Sequence, residues 1–251
     1  MASRVHEYMK RGNCKLCLQN KELLYSHILS EFLYEPTYDE AHRFVSLSSH
    51  PWQKTRPFEK GLREYLLCRE CEGQLARYEA YAASVLRKAG SYRKPGSKVI
   101  EIPSFDYRCF KLFGMSLIWR CHISERHMFG AVKLGSHAEN IRGMLAAENP
   151  GDPSDYPFAL IKIEGTEHAD RIIIAPSMSR FQDHNAYIFM AYGFEWIFIV
   201  SSHSDRVPRD YPFVGMKPEL IILVQEWSRQ EFLQRMKKRM STLIEKEKRT
   251  T

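Results

Sequence analysis

The sequence predicts an α+β protein built in two parts, and three observations carry that prediction. Two CxxC pairs, CKLC at Cys14 and Cys17 and CREC at Cys68 and Cys71, mark a small N-terminal module. Apolar runs rich in β-branched and aromatic residues, divided by turn residues, fill the second half in the manner of a sheet. Between the two lies KAGSYRKPGSKVIEIP, Lys88 to Pro103, which concentrates Gly, Ser, Pro and Lys and reads as a linker. The expected organisation is a module over 1–87, a linker over 88–104 and a larger α+β domain over 105–251, with an antiparallel sheet and a C-terminal helix.

The elements follow in chain order. A short helix is expected from Ser26 to Tyr34, then a loop over 35–61 with at most short strands, because Pro36, Pro51, Pro57, Ser48 and Ser49 interrupt it. A longer helix follows Cys71. Phe110, Phe113, Leu117, Ile118 and Cys121 recur at helical spacing and predict a buried helix over 106–122, in which Cys109 and Cys121 act as buried thiols. A further helix from His137 to Ala147 ends at the NPGDP turn. FALIKIEG, RIIIAPS, NAYIFMAYG and EWIFIVSS read as strands of an antiparallel meander, since their connections are too short for helical crossovers. ELIILVQ is a last strand. Ser228 with Glu231 forms a capping box for a C-terminal helix whose apolar stripe includes Phe232, Leu233, Met236 and Met240.

Composition narrows the class. The 251 residues are 44% hydrophobic and 27% charged, which is globular and not disordered. The apolar stretch AYIFMAYGFEWIFIV is broken by Gly193 and Glu195, so no membrane span is expected. No apolar segment follows Arg4, Lys10 and Arg11, so a cytoplasmic location is expected, where paired cysteines hold metal or do redox work more often than they form disulfides. Net charge is +7, of which residues 1–104 carry +5 and residues 105–251 carry +2. An excess of this kind suits a polyanion partner, and serves equally well to keep a protein in solution. There is no GxGxxG, P-loop or nucleophile elbow anywhere in the chain.

The cysteines carry the strongest chemistry. Two residues between thiols let the chain turn so that both sulfurs reach one ion, and two such pairs complete a tetrahedral zinc site with Zn–S distances of about 2.3 Å. Cys14, Cys17, Cys68 and Cys71 are therefore the expected ligands, although 50 residues separate the pairs. Two independent redox motifs are the alternative, and no βαβ pattern surrounds either pair. Metal binding would supply much of the folding free energy of so small a module, on the order of 10 kcal/mol.

Read together, CxxC, then Ser26-His27-Ile28, then GLREYLLCRECE leading into a helix with Tyr78-Glu79 resembles the zinc-stabilised branch of the HNH, or ββα-metal, endonucleases, in particular uncharacterised bacterial proteins reading SHI, GLxExLLCxxCE and YE. The likeness covers 14–86. KLFGMSLIWR, VKLG and IRGML are similar to segments of the same bacterial proteins, with no activity attached. The resemblance implies a treble-clef zinc module and a metal-dependent endonuclease acting on nucleic acid, DNA first, in bacterial defence or other DNA processing. It implies that His27 deprotonates water while Mg2+ or Mn2+, held by hard ligands, stabilises the leaving oxygen. Where the family has Asp before the histidine this chain has Ser26, and where it has Asn or His after the second pair this chain has Glu72.

Each candidate has a plainer reading beside it. Glu72 and Glu79 are two helical turns apart and share a face, suited to a divalent ion or simply to solvent, and an acid in a first helical turn is favoured by the helix dipole anyway. His27 is a base, or it hydrogen-bonds the knuckle backbone. His42 and His50 are substitute ligands or loop surface. Lys54, Arg56, Lys60, Arg63, Arg69 and Arg77 form a cluster able to grip phosphates, with Arg63 held closest to the metal region, while Trp52, Phe58 and Tyr65 either stack on bases or fill the module's own core. A non-catalytic zinc module binding nucleic acid or protein is the competing function. The larger half reads as a scaffold for nucleic acid, a protein partner or a second copy of the chain.

Overall fold

A computed structural model describes residues 10–40, 43–46, 56–59, 61–165, 169–201 and 207–227. The C-terminal helix expected from Ser228, together with His42, His50, Trp52, Lys54 and Lys60, lies outside the described residues. The fold is mixed α+β. No helix among the described residues is long and apolar enough to cross a membrane.

The N-terminal part is a three-stranded antiparallel sheet of β1 (Lys10–Asn13), β2 (Asn20–His27) and β5 (Arg63–Cys68), with β2 central. A separate pair, β3 (Arg43–Ser46) with β4 (Arg56–Glu59), fills the stretch expected to hold at most short strands. The 20-residue helix α2 (Arg69–Lys88) leaves β5 directly. Ser26 to Tyr34 is not one helix. β2 runs through His27, held by β5 over Leu23–His27, and only Glu31–Tyr34 (α1) is helical.

The second sheet has six strands in the order β6-β11-β7-β10-β9-β8, from β6 (Val99–Ile102), β7 (Phe158–Glu164), β8 (Ile174–Phe181), β9 (His184–Ala191), β10 (Phe194–Ile199) and β11 (Leu220–Glu226). The meander is thus β8-β9-β10, and β7 joins it beyond β10 instead of beside β8. β11 runs parallel to β7, a pairing the antiparallel expectation did not contain. Tyr192 and Gly193, both at positive φ, close the β9–β10 hairpin in the conformation that matches strand twist. The stretch read as a linker holds a 3-10 turn over Ala89–Tyr92 and strand β6, which pairs with β11.

Helix α3 (Tyr107–Ile123) is buried on every side from Phe110 to Cys121, which is why its apolar pattern is broad and not a stripe. It lies between the six-stranded sheet, where Phe110 and Phe113 meet Phe158 and Trp196, and helices α2 and α4 (His137–Ala146). One apolar cluster consequently runs from Leu16 and Leu23 beside the knuckle, through Leu75 and Leu117, to Trp196 and Ile222 in the sheet. Cys121 is buried as expected, whereas Cys109 is only half-buried at the start of α3.

Gly114 lets Phe158 lie directly against α3, and a methyl group there would overlap the ring. Gly114→Ala is expected to destabilise the protein by about 1–3 kcal/mol through overpacking, read as a lower midpoint in thermal or urea unfolding.

Candidate metal centre and the His27 cluster

The four cysteines are brought together by two local structures. At the tip of the β1–β2 hairpin, Cys14 N–H donates to Gln19 O at 2.9 Å and Leu18 N–H donates to Cys14 O at 2.9 Å, with Leu18 at φ 63° closing the knuckle. At the other end Cys68 is the last residue of β5 and Cys71 lies in the first turn of α2. Pairing of β2 with β5 brings these ends together, helped by the Lys15 N–H bond to Leu66 O at 2.9 Å.

The four sulfurs lie within 4.8 Å of one another, and Cys17 and Cys68 are 3.8 Å apart. Tetrahedral ligands at about 2.3 Å from one ion are about 3.8 Å apart, so the set fits zinc. All four are free thiols. Burial works against a thiolate at Cys14, but backbone N–H groups of Cys17, Cys68 and Leu16 outweigh it and hold this thiol below its ordinary range, with Cys68 N–H 3.3 Å from Sγ. Burial pushes the Cys68 thiol up to about 11 and Cys71 higher still. Arg142 of α4 donates to Leu16 O at 2.7 Å, tying the knuckle to the second half of the chain.

His27 ends β2 opposite Arg63 on β5. Arg63 Nε donates to His27 Nε2 at 2.9 Å, and the Glu31 carboxylate, one turn on in α1, pairs with the same nitrogen. Tyr38 O–H donates to the other Glu31 oxygen at 2.9 Å. Nε2 therefore faces one donor and one acceptor. Unprotonated, it accepts from Arg63; protonated, it donates to Glu31. A general base needs both of its states stabilised in place, and this arrangement provides for each.

Glu72 and Glu79 share a face of α2, as their spacing predicts, and that face turns inward. Arg120 of α3, 1% exposed, pairs with Glu79 at 2.6 Å and donates to His27 O at 2.9 Å and Ser30 Oγ at 3.2 Å. Glu79 is thereby a structural partner of Arg120. Glu72 is largely buried: desolvation lifts its carboxyl above the ordinary range in spite of the Ser26 hydroxyl and the nearby Arg120 and Arg63 charges, and its Oε2 has no hydrogen-bond partner. Glu72 thus meets Ser26, whose side chain leaves β2 on the face opposite to that of its neighbour His27. Among the described residues the four cysteines are the one group of three or more such side chains that converges at ligand distance, so a hard-ligand set for Mg2+ or Mn2+ is not assembled there.

Of the expected phosphate contacts, Arg63 faces His27. Arg69 is exposed at the start of α2, in a shallow groove with Arg11 and Lys21. Arg77 is held by both oxygens of Glu148, at 3.2 and 3.1 Å, alongside Tyr78 and Arg108. Glu31 and Arg120 were not singled out from the sequence. Glu31 carried a usable signal, since an acid four residues after His27 meets it if the chain turns helical between them; Arg120, 93 positions from His27, carried none.

Two outcomes follow for the purified protein. One zinc per chain is expected by elemental analysis, lost in Cys17→Ser with a fall in thermal midpoint; because the raised thiols of Cys68 and Cys71 must lose protons to bind, zinc affinity measured by chelator competition should fall by about tenfold per released proton for each unit of decreasing pH. Glu72 is protonated more readily folded than unfolded, so its ionisation costs stability as pH rises through and above the ordinary carboxyl range. Glu72→Gln should therefore unfold at a higher temperature than wild type near pH 7.5, with the difference vanishing near pH 4. No protein-family model matches this chain, and no curated protein or solved structure is similar to it.

Proposed function

We propose that the N-terminal part is a zinc-stabilised treble clef of the HNH type and that the chain hydrolyses nucleic-acid phosphodiesters, with DNA as the first substrate to test. The observation that carries this reading is His27 Nε2 set between a guanidinium and a carboxylate at the end of a strand whose hairpin is anchored by four convergent thiols. The order knuckle, central strand ending in histidine, returning strand and helix carrying the second thiol pair supports it. So does the contact between Ser26 and Glu72, the two positions at which the resembling family carries metal ligands.

In this reading Arg63 serves twice. Before substrate arrives it donates to Nε2; a scissile phosphate competes for its guanidinium, and the freed lone pair of Nε2 takes a proton from water. Glu31 then accepts from the protonated ring. Arg120 holds the strand end through His27 O and so fixes where the imidazole stands.

A second reading, a non-catalytic zinc module that binds nucleic acid or a protein, is favoured by the pairing of Glu79 with Arg120 and by the lack of a hard-ligand set among the described residues. The two separate on a nicking assay with Mg2+ or Mn2+ on plasmid and on single-stranded circular DNA. Wild-type protein is expected to nick and His27→Ala to lose about 100-fold or more of that rate. Equal nicking by His27→Ala removes His27 from the chemistry, and no nicking by wild type leaves the binding module.

A further inference from the structure

Beside His27 and Arg63 the sheet carries a feature that hydrolysis does not use. Tyr25 lies opposite Tyr65 across β2 and β5, two residues along each strand from the His27–Arg63 pair. Directly opposed residues share a face, and so do residues two apart in one strand, so all four side chains stand on one face of the three-stranded sheet. The Tyr25 and Tyr65 rings lie 5.0 Å apart, centroid to centroid, and Tyr25 is 40% exposed although its neighbour Ser26 is buried. Tyr25 is the more open of the two, Tyr65 being half-buried against the apolar core, and an exposed aromatic ring suits a flat, apolar partner.

The rim of this face is basic. Lys10 of β1 reaches over the Tyr65 ring at 5.7 Å, and Arg126, just after α3, donates to Tyr25 Oη at 3.0 Å and to Arg63 O at 2.6 Å. Glu64 pairs with Arg126 at 3.6 Å and Glu31 with His27, so carboxylates are present but fewer than the cations.

We infer that the Tyr25–Tyr65 face binds single-stranded DNA, bases stacked on the two rings and phosphates on Lys10, Arg126 and Arg63, so that the strand runs toward His27. The inference rests on the nuclease reading and narrows its substrate. Flat rings offer nothing to a base already stacked inside a duplex, whereas an unpaired base has a free face for each of them. Cations spaced around an aromatic centre match a chain in which phosphates alternate with bases.

The test is fluorescence anisotropy of a labelled oligothymidine of about 20 nucleotides with the full chain and no added divalent ion, so that binding is read apart from cleavage. Single strands should bind at least about tenfold more tightly than a duplex of equal length. Tyr25→Ala should weaken binding by at least about fivefold with zinc content and thermal midpoint unchanged, whereas Tyr25→Phe, which keeps the ring and loses the Arg126 bond, should bind like wild type. Lys10→Ala should reduce the salt slope by about one. Equal duplex binding, tighter binding of oligouridine, or a Tyr25→Ala protein indistinguishable from wild type overturns the inference. Oligothymidine binding that depends on Tyr25 in a protein that nicks nothing overturns the hydrolytic reading alone, and nicking with Tyr25-independent binding overturns the stacking face alone.

Discussion

The convergence of four thiols is the constraint on which the rest of the N-terminal architecture depends. The three-stranded sheet is too small to bury a core of its own: Tyr25 and Leu18 are exposed, and β1 has only four residues. Without an ion the site is a concentration of thiols, three of them buried. With one, they become the bond that closes a chain segment of more than fifty residues, whose ends otherwise meet through the β2–β5 ladder and a few hydrogen bonds beside it. Everything placed relative to that closure, including the start of α2 and the end of β2, inherits its precision.

A second set of polar contacts extends that precision into the larger half. Arg120 is buried in α3, yet its guanidinium is directed out of the helix at Glu79, His27 O and Ser30. A charge so deep is tolerated because each of its three nitrogens has a partner, and removal of either partner of such a pair leaves the other uncompensated. Arg142 at the knuckle and Gln74, which donates to Leu145 O at 2.6 Å, act similarly at other points of the same seam. Together with the shared apolar cluster they make the two parts of the chain cooperate in holding one strand end.

The chemistry at that strand end is asymmetric. On one face His27, Arg63 and Glu31 meet beside two tyrosines; on the other, Ser26 meets Glu72 of α2, whose carboxyl burial lifts above its ordinary range. Alternation along β2 separates the two groups, and any account of the site has to work from one face or the other. The outer face has the stronger claim, since it combines cations, the exposed Tyr25 ring and an imidazole whose nitrogen meets both a donor and an acceptor.

The sequence by itself determined the four-cysteine group, the buried character of α3, the strands of the second sheet other than β6 and the α+β class, because each is written in local spacing: CxxC, helical recurrence of Phe110, Phe113 and Leu117, and runs of β-branched residues bounded by turns. Tertiary structure decided the strand order, the parallel β7–β11 pair, the use of Val99–Ile102 as a strand, and the end of β2 at His27 where a helix was expected. It also decided that Glu79 serves Arg120, that Arg77 serves Glu148, and that Glu31 attends His27. These depend on partners tens of residues away or on a turn whose course neighbouring strands impose. Local periodicity encodes which residues seek burial or a metal, and it does not encode which distant charge will meet them.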